Sequence, residues 1–189
     1  HAITASCIVL GRSMTKYNQE ANKTIPYDKR TDVTEEEKQF ATSALDKLTK
    51  VIAKHIKSEE VCANAFMVVS FAARAVPEVA IKNNLHRTAS IITALHKKDP
   101  HCALNCTSFL FLLCERGYIA EIKGIPSLGS NINELISSHT TFPKVVEISS
   151  CILLAIDDPN AKRIAQASLL RIPNSELIKK YQELSKKKE

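Results

Sequence analysis

This sequence is poor in the residues that sheets and phosphate-binding loops rely on. It has no tryptophan in 189 residues, only four glycines, and 5% aromatic residues. Hairpin turns draw heavily on glycine, so a protein built mainly of strands is excluded. No glycine-rich phosphate loop, no GxGxxG and no GxSxG string is present, which removes the common nucleotide-binding and serine-hydrolase signatures. No apolar run approaches the ~18 residues that a membrane-crossing helix needs. The chain opens on His1 without a charged-then-apolar leader, and is read as part of a longer protein.

What is present is helical periodicity. Hydrophobic residues make up 44% of the chain, an ordinary globular share. Ile3, Cys7, Ile8 and Leu10 share a helical spacing, and Tyr17 to Asp32 reads as a polar loop around Pro26. Thr34 with Glu37 three residues later makes a capping box. Behind it Phe40, Ala41, Ala44, Leu45, Leu48, Val51, Ile52 and Ile56 line one face of a long helix. Ser58 opens a second helix, Val61 to Ala75, apolar on nearly every side and therefore expected to be buried. Next come a short helix behind Pro77 and another from Leu85 to His96 that places Leu85, Ala89, Ile92 and Leu95 together. Asp99-Pro100 then caps a long apolar helix that ends at Gly117. The same order follows again: Ile119 to Lys123, a break at Gly124-Ile125-Pro126, Asn131 to Ser138, and a long helix from Pro143 to Ile156. Asp158-Pro159 and Pro173-Asn174 precede two closing helices.

The long helices keep a register. Ala65 and Val69, Cys106 and Leu110, and Ile148 and Ile152 recur 41 and then 42 residues apart, and each pair is followed by a further apolar residue at Ala72, Leu113 or Ala155. A period of about 40 residues points to stacked helical units. This three-helix rhythm, with its Ile125-Pro126 break, resembles the armadillo family of helical repeats and its HEAT relatives. The resemblance implies an all-α, right-handed solenoid forming one domain: a leading helix and loop (1–33), repeats at 34–76, 77–117 and 118–157, and C-terminal helices with a basic tail at 158–189. It also implies a concave face lined by the third helix of each repeat, on which a segment of another protein lies. Armadillo proteins that hold import signals place a tryptophan and an asparagine one turn apart there. The matching places in this chain hold Met67 and Phe71, Ser108 and Leu112, and Ser150 and Leu154, so that clamp is not expected. Adding the residue three before each pair gives the expected partner-binding ladder: Asn64, Met67, Phe71; Asn105, Ser108, Leu112; Glu147, Ser150, Leu154. Such a mixture suits apolar partner side chains flanked by polar anchors.

Catalytic and metal chemistry find little support. His96, His101, Cys102 and Cys106 form the one cluster with metal-like spacing, but the pattern that places both cysteines on a buried helix makes them small hydrophobes. Asp157-Asp158 beside Pro159 reads as a helix cap. The six cysteines are taken as free thiols of a reducing cytosol or nucleus rather than a disulfide framework. No enzyme activity, metal or cofactor is expected. The charge is uneven: from Lys162 onward eight bases face three acids within a chain of net charge +6. That tail is expected to be a solvated helix face. Nucleic-acid binding through it is the alternative function, and contact with anionic lipid is a further reading.

Overall fold

The computed structural model describes residues 33–186. The leading helix expected before residue 17 and the polar loop after it lie outside the described residues. Within them the protein is all-helical, with ten helices and no strand. The chain forms two compact units that meet in sequence at Leu85 and His86.

Unit 1 contains α1 (Glu35–Lys54), α2 (Glu59–Ala75) and α3 (Pro77–Lys82). The capping box is present at the start of α1. Thr34 Oγ1 accepts from the Glu37 amide at 3.2 Å, and the Glu37 carboxylate accepts from the Thr34 amide at 2.8 Å. Two of the four amides that a helix start leaves without partners are thereby satisfied. Ala41, Ala44, Leu45, Leu48 and Ile52 are buried on one face of α1, which packs against α2. Phe40 falls outside this stripe and is 40% exposed. Helix α2 carries the core of the unit, with Cys62, Ala65, Phe66, Val68, Val69 and Ala72 fully buried.

Unit 2 contains α4 (Leu85–Leu95, its first residue at the boundary), α5 (Pro100–Glu115), α6 (Ile119–Lys123), α7 (Leu128–Ser138), α8 (Pro143–Ala155), α9 (Ala161–Arg171) and α10 (Glu176–Lys186). The core lies around α8, which packs against α5, α7, α9 and α10.

The order short helix, middle helix, long helix occurs twice, as α3-α4-α5 and α6-α7-α8, and the joints repeat with it. A residue with positive φ stands immediately before each middle helix, Asn84 at 55° and Ser127 at 58°. Another follows each long helix: Gly117 at 91° and Asp157 at 56°. Both long helices stop on the same pair of backbone bonds. Gly117 and Tyr118 donate to Cys114 and Leu113, and Asp157 and Asp158 donate to Leu154 and Leu153, all between 3.0 and 3.3 Å. That is the Schellman stop, which needs a left-handed residue; glycine supplies it once and aspartate once.

Several sequence expectations shift at this level. Leu95 points outward and is 53% exposed, while His96, at 6%, takes the buried place one turn after Ile92. Helix α7 starts at Leu128 rather than Asn131, so Gly129 lies inside its first turn and not at a break. The reason is proximity, because a Cβ on Gly129 would collide with the Asp158 carboxylate. Asp157 serves as the left-handed stop of α8, and Asp158 Oδ1 accepts from the Asn160 amide at 2.8 Å. Helix α9 accordingly begins at Ala161, after Pro159.

Candidate functional site

The expected ladder divides into strips that remain open and one that does not. On α2, Asn64, Met67 and Phe71 are each half-buried while their neighbours in sequence are mostly sealed. They recur at three and four residues, so they share one face. The Asn64 amide nitrogen donates to its own helix at the Glu60 carbonyl, 2.8 Å away, which fixes the carboxamide beside the strip. The Arg74 guanidinium lies 5.6 Å from the centre of the Phe71 ring, a cation–π distance. From one end to the other the strip therefore offers an amide, a polarisable thioether and an aromatic ring flanked by a cation.

In unit 2 the equivalent strip on α5 has the same half-buried character at Asn105, Ser108 and Leu112, with Leu104 and Phe111 beside them. Asp99 Oδ1 accepts from the Cys102 amide at 2.6 Å and anchors the helix start. The opposite side carries Cys102, Cys106, Phe109, Leu110 and Leu113 at 0% exposure. A helix sealed on its remaining faces and open along one line is what a lateral docking surface requires.

The third rung is different, and two expected contact residues must be withdrawn from the open surface. Ser150 is 0% exposed and Leu154 is 3% exposed. Two later helices cover them. Ser150 Oγ donates to the Val146 carbonyl at 2.8 Å and is hydrogen-bonded to Ser168 Oγ of α9 at 2.9 Å. Glu147 is partly exposed, at 15% for its side chain. One carboxylate oxygen accepts from Lys144 Nζ and the other from Ser175 Oγ, both at 2.6 Å. Burial pushes this carboxyl up, but the hydrogen bonds from Lys144 and Ser175 win and hold it below the usual carboxylate value. Ser175 in turn caps α10 by accepting from the Ile178 amide at 3.2 Å. Farther along, the Tyr181 ring packs on Phe111 at 5.3 Å with a 57° tilt, and its hydroxyl donates to Glu115 at 3.4 Å.

Helix α10 rests lightly on this seat. Among its described side chains only Ile178 is fully buried, Leu177 and Tyr181 are half-buried, and Leu184 is 44% exposed. Full burial of one aliphatic side chain and partial burial of two others contributes roughly 4 kcal/mol. Fixing the backbone costs about 1–2 kcal/mol per residue, and a helix this short is marginal alone.

The structure also shows a recurrent residue that periodicity did not reveal. His55, His96 and His139 stand 41 and 43 residues apart. Each ends a helix that precedes a long one, and each carbonyl accepts from the N-cap amide of that long helix: Ser58 at 2.8 Å, Asp99 at 2.9 Å and Phe142 at 2.9 Å. His139 is 2% exposed. Its Nε2 meets the Lys97 carbonyl at 2.8 Å, and its ring sits edge-on to Phe142 at 5.9 Å. The turn that leads into α5 is thus tied to the turn that leads into α8. A search for a repeated polar residue at the hydrophobic period would have found these three.

Reactive chemistry has little to work with. Cys62, Cys102, Cys106, Cys114 and Cys151 are buried and outside any disulfide. Burial pushes the thiols of Cys62 to about 11 and of Cys114 and Cys151 to about 12, the reverse of what a nucleophilic thiolate needs. Among the described residues no group of three His, Cys, Asp or Glu side chains is placed to hold a metal ion. Unit 1 has an open cleft of about 640 Å³ along α1, whose lining includes Glu35, Lys38, Asp46, Lys50 and Glu78, and these mixed charges favour neither sign of ligand. Of the basic residues of α9 and α10, Lys162, Arg163, Arg171, Lys179 and Lys180 are exposed. Lys179 is paired with Glu176 at 3.0 Å, and the Tyr181 ring packs on Phe111. No family model, curated protein or solved structure matches this chain.

Proposed function

We propose that this protein is a non-enzymatic interaction scaffold, an armadillo-like right-handed solenoid whose long helices present their open strips to a segment of another protein. The twice-repeated order of short, middle and long helices supports the solenoid reading, as do the matching left-handed joints and the histidines at the turns. Repeats of this kind bury their faces against neighbours and leave one continuous side for partners. The observation that carries the binding role is the half-buried line on each of two otherwise sealed helices, Asn64-Met67-Phe71 and Asn105-Ser108-Leu112. A strip of amides, a thioether, an aromatic ring and a leucine combines apolar anchoring with hydrogen bonding.

Affinity capture of the full chain beside Met67→Glu, Phe71→Glu and Leu112→Glu variants tests the reading. A charge on a half-open position leaves the fold intact, so unchanged circular dichroism and thermal midpoint are required first. Loss of the same specific partner from all three variants is the expected result. Retention of every partner by the folded variants contradicts the reading.

A further inference from the structure

We infer that the outward face of α4 is a second interaction surface, one that fits a short acidic segment of a partner protein carrying two aliphatic side chains. It lies on a different helix from the open strips of α2 and α5. Packing does not ask for the aliphatic residues found there. The histidines at the ends of α1, α4 and α7 set a common register. Five residues and one residue before them stand Lys50 and Lys54, Ile91 and Leu95, and Glu134 and Ser138. All six are exposed. Helices α1 and α7 fill both places with polar side chains and still bury their other face, so the aliphatic pair of α4 is a departure that the fold does not require. Ile91 is 56% and Leu95 53% exposed, whereas Leu85, Ala89 and Ile92 on the other side of the helix are at 0%. Ile91 and Leu95 are one turn apart on the same face, with exposed Ala94 beside them, and together they make a continuous apolar patch rather than scattered surface residues.

Charge and size name the occupant. Arg87 stands one turn before Ile91 and Lys98 follows the helix end, both exposed and neither in an ion pair. Acids at the far end of α4 are already engaged. Glu134 pairs with Lys97 at 3.3 Å, and Asp99 accepts from the Cys102 amide. Glu121 of α6 acts on the neighbouring His86 but forms no ion pair with Arg87. An apolar patch with an unpaired cation at each end is complementary to a segment with aliphatic residues in its middle and carboxylates on its flanks. A second copy of the chain fits poorly. Two half-exposed aliphatic side chains present roughly 200 Å², against about 800 Å² per partner in a stable pair. A two-fold pairing centred on Ile91 and Leu95 would also set Arg87 of one copy beside Lys98 of the other. A bilayer fits poorly too, because a helix lying in a membrane surface needs an apolar face several turns long, and Glu134 at the edge of this patch repels anionic headgroups.

The test selects a displayed library of random peptides on the full chain, with counterselection on its Ile91→Gln/Leu95→Gln variant. The expected result is enrichment of net-acidic peptides with two aliphatic residues three or four positions apart. An enriched peptide is then expected to bind the glutamine variant and an Arg87→Glu/Lys98→Glu variant at least tenfold more weakly than wild type, and to weaken with added salt. Its affinity for Met67→Glu and Leu112→Glu should be unchanged, so this claim and the scaffold reading can fail separately. Enriched sequences that are neutral or basic, or that bind the variants as well as wild type, overturn the proposal. A lower urea midpoint in the glutamine variant assigns Ile91 and Leu95 to the fold and overturns it as well. Two further outcomes do the same: a dimer in sedimentation that the glutamine changes abolish, and co-flotation with phosphatidylcholine–phosphatidylserine vesicles that they abolish.

Discussion

Replacing His139 is the sharpest test of how unit 2 is held together. The side chain is 2% exposed, its Nε2 lies 2.8 Å from the Lys97 carbonyl, and its ring meets Phe142 edge-on at 5.9 Å. In His139→Ala the Lys97 carbonyl loses its donor, and leaving this part-buried acceptor unpaired costs ~1–3 kcal/mol. Loss of the edge-to-face contact adds about 0.5–1.5 kcal/mol. The total expected is about 2–4 kcal/mol, a large part of the stability of an ordinary domain. His139→Phe separates the two contributions, since it retains a ring against Phe142 and removes only the hydrogen bond, for an expected loss of ~1–3 kcal/mol. Urea unfolding followed by circular dichroism measures both, provided the slope stays constant across the series. The order of stability should be wild type, then Phe, then Ala. Losses under about 0.5 kcal/mol in both variants, the range of an ordinary surface substitution, would refute the idea that this histidine ties the two turns together.

Other consequences follow from the caps, the thiols and the basic helices. Asp99→Ala removes the acceptor of the Cys102 amide and should lower stability by ~1 kcal/mol in the same urea assay. The thiols of Cys114 and Cys151 are raised from 9.0 to about 12 in the folded protein. Their contribution to stability is therefore complete below about pH 9 and is lost as pH rises toward 12, so the urea midpoint should fall between pH 8 and pH 10. At pH 7.5 the same thiols should resist iodoacetamide until urea is added. Any affinity for single-stranded nucleic acid that comes from the exposed bases of α9 and α10 should collapse between 50 and 200 mM salt; binding that survives would point to contacts other than phosphate.

Much of the helical order was legible because several helices announce their start in chemistry. Thr34 with Glu37, Ser58, and Asp99 with Pro100 mark three starts that the structure reproduces. What escaped reading depends on neighbours. Helices α5 and α8 are apolar nearly all round, so periodicity alone could not rank their faces. The same register left Ser108 and Leu112 half-open but placed Ser150 and Leu154 beneath α9 and α10, and nothing local to α8 distinguishes the two cases. Leu95 and Phe40 matched the apolar stripe yet face outward, because a stripe wider than its neighbour's footprint leaves its margin uncovered. The histidines at 55, 96 and 139 were visible as letters, but polar residues at helix ends are usually discounted as turn chemistry. Their significance emerges only when the carbonyl of Lys97 is found against the ring of His139.

The central claim is that the half-buried strips of α2 and α5 are where a partner lies. Its most direct test is site-specific photo-crosslinking in cells from Met67 and from Leu112, with the exposed Glu121 of α6 as control position. The account expects one and the same protein to be captured from both strip positions, nothing from Glu121, and loss of the adduct when Phe71→Glu is introduced. Capture from Glu121 equal to that from the strips, or an adduct indifferent to Phe71→Glu, would contradict it.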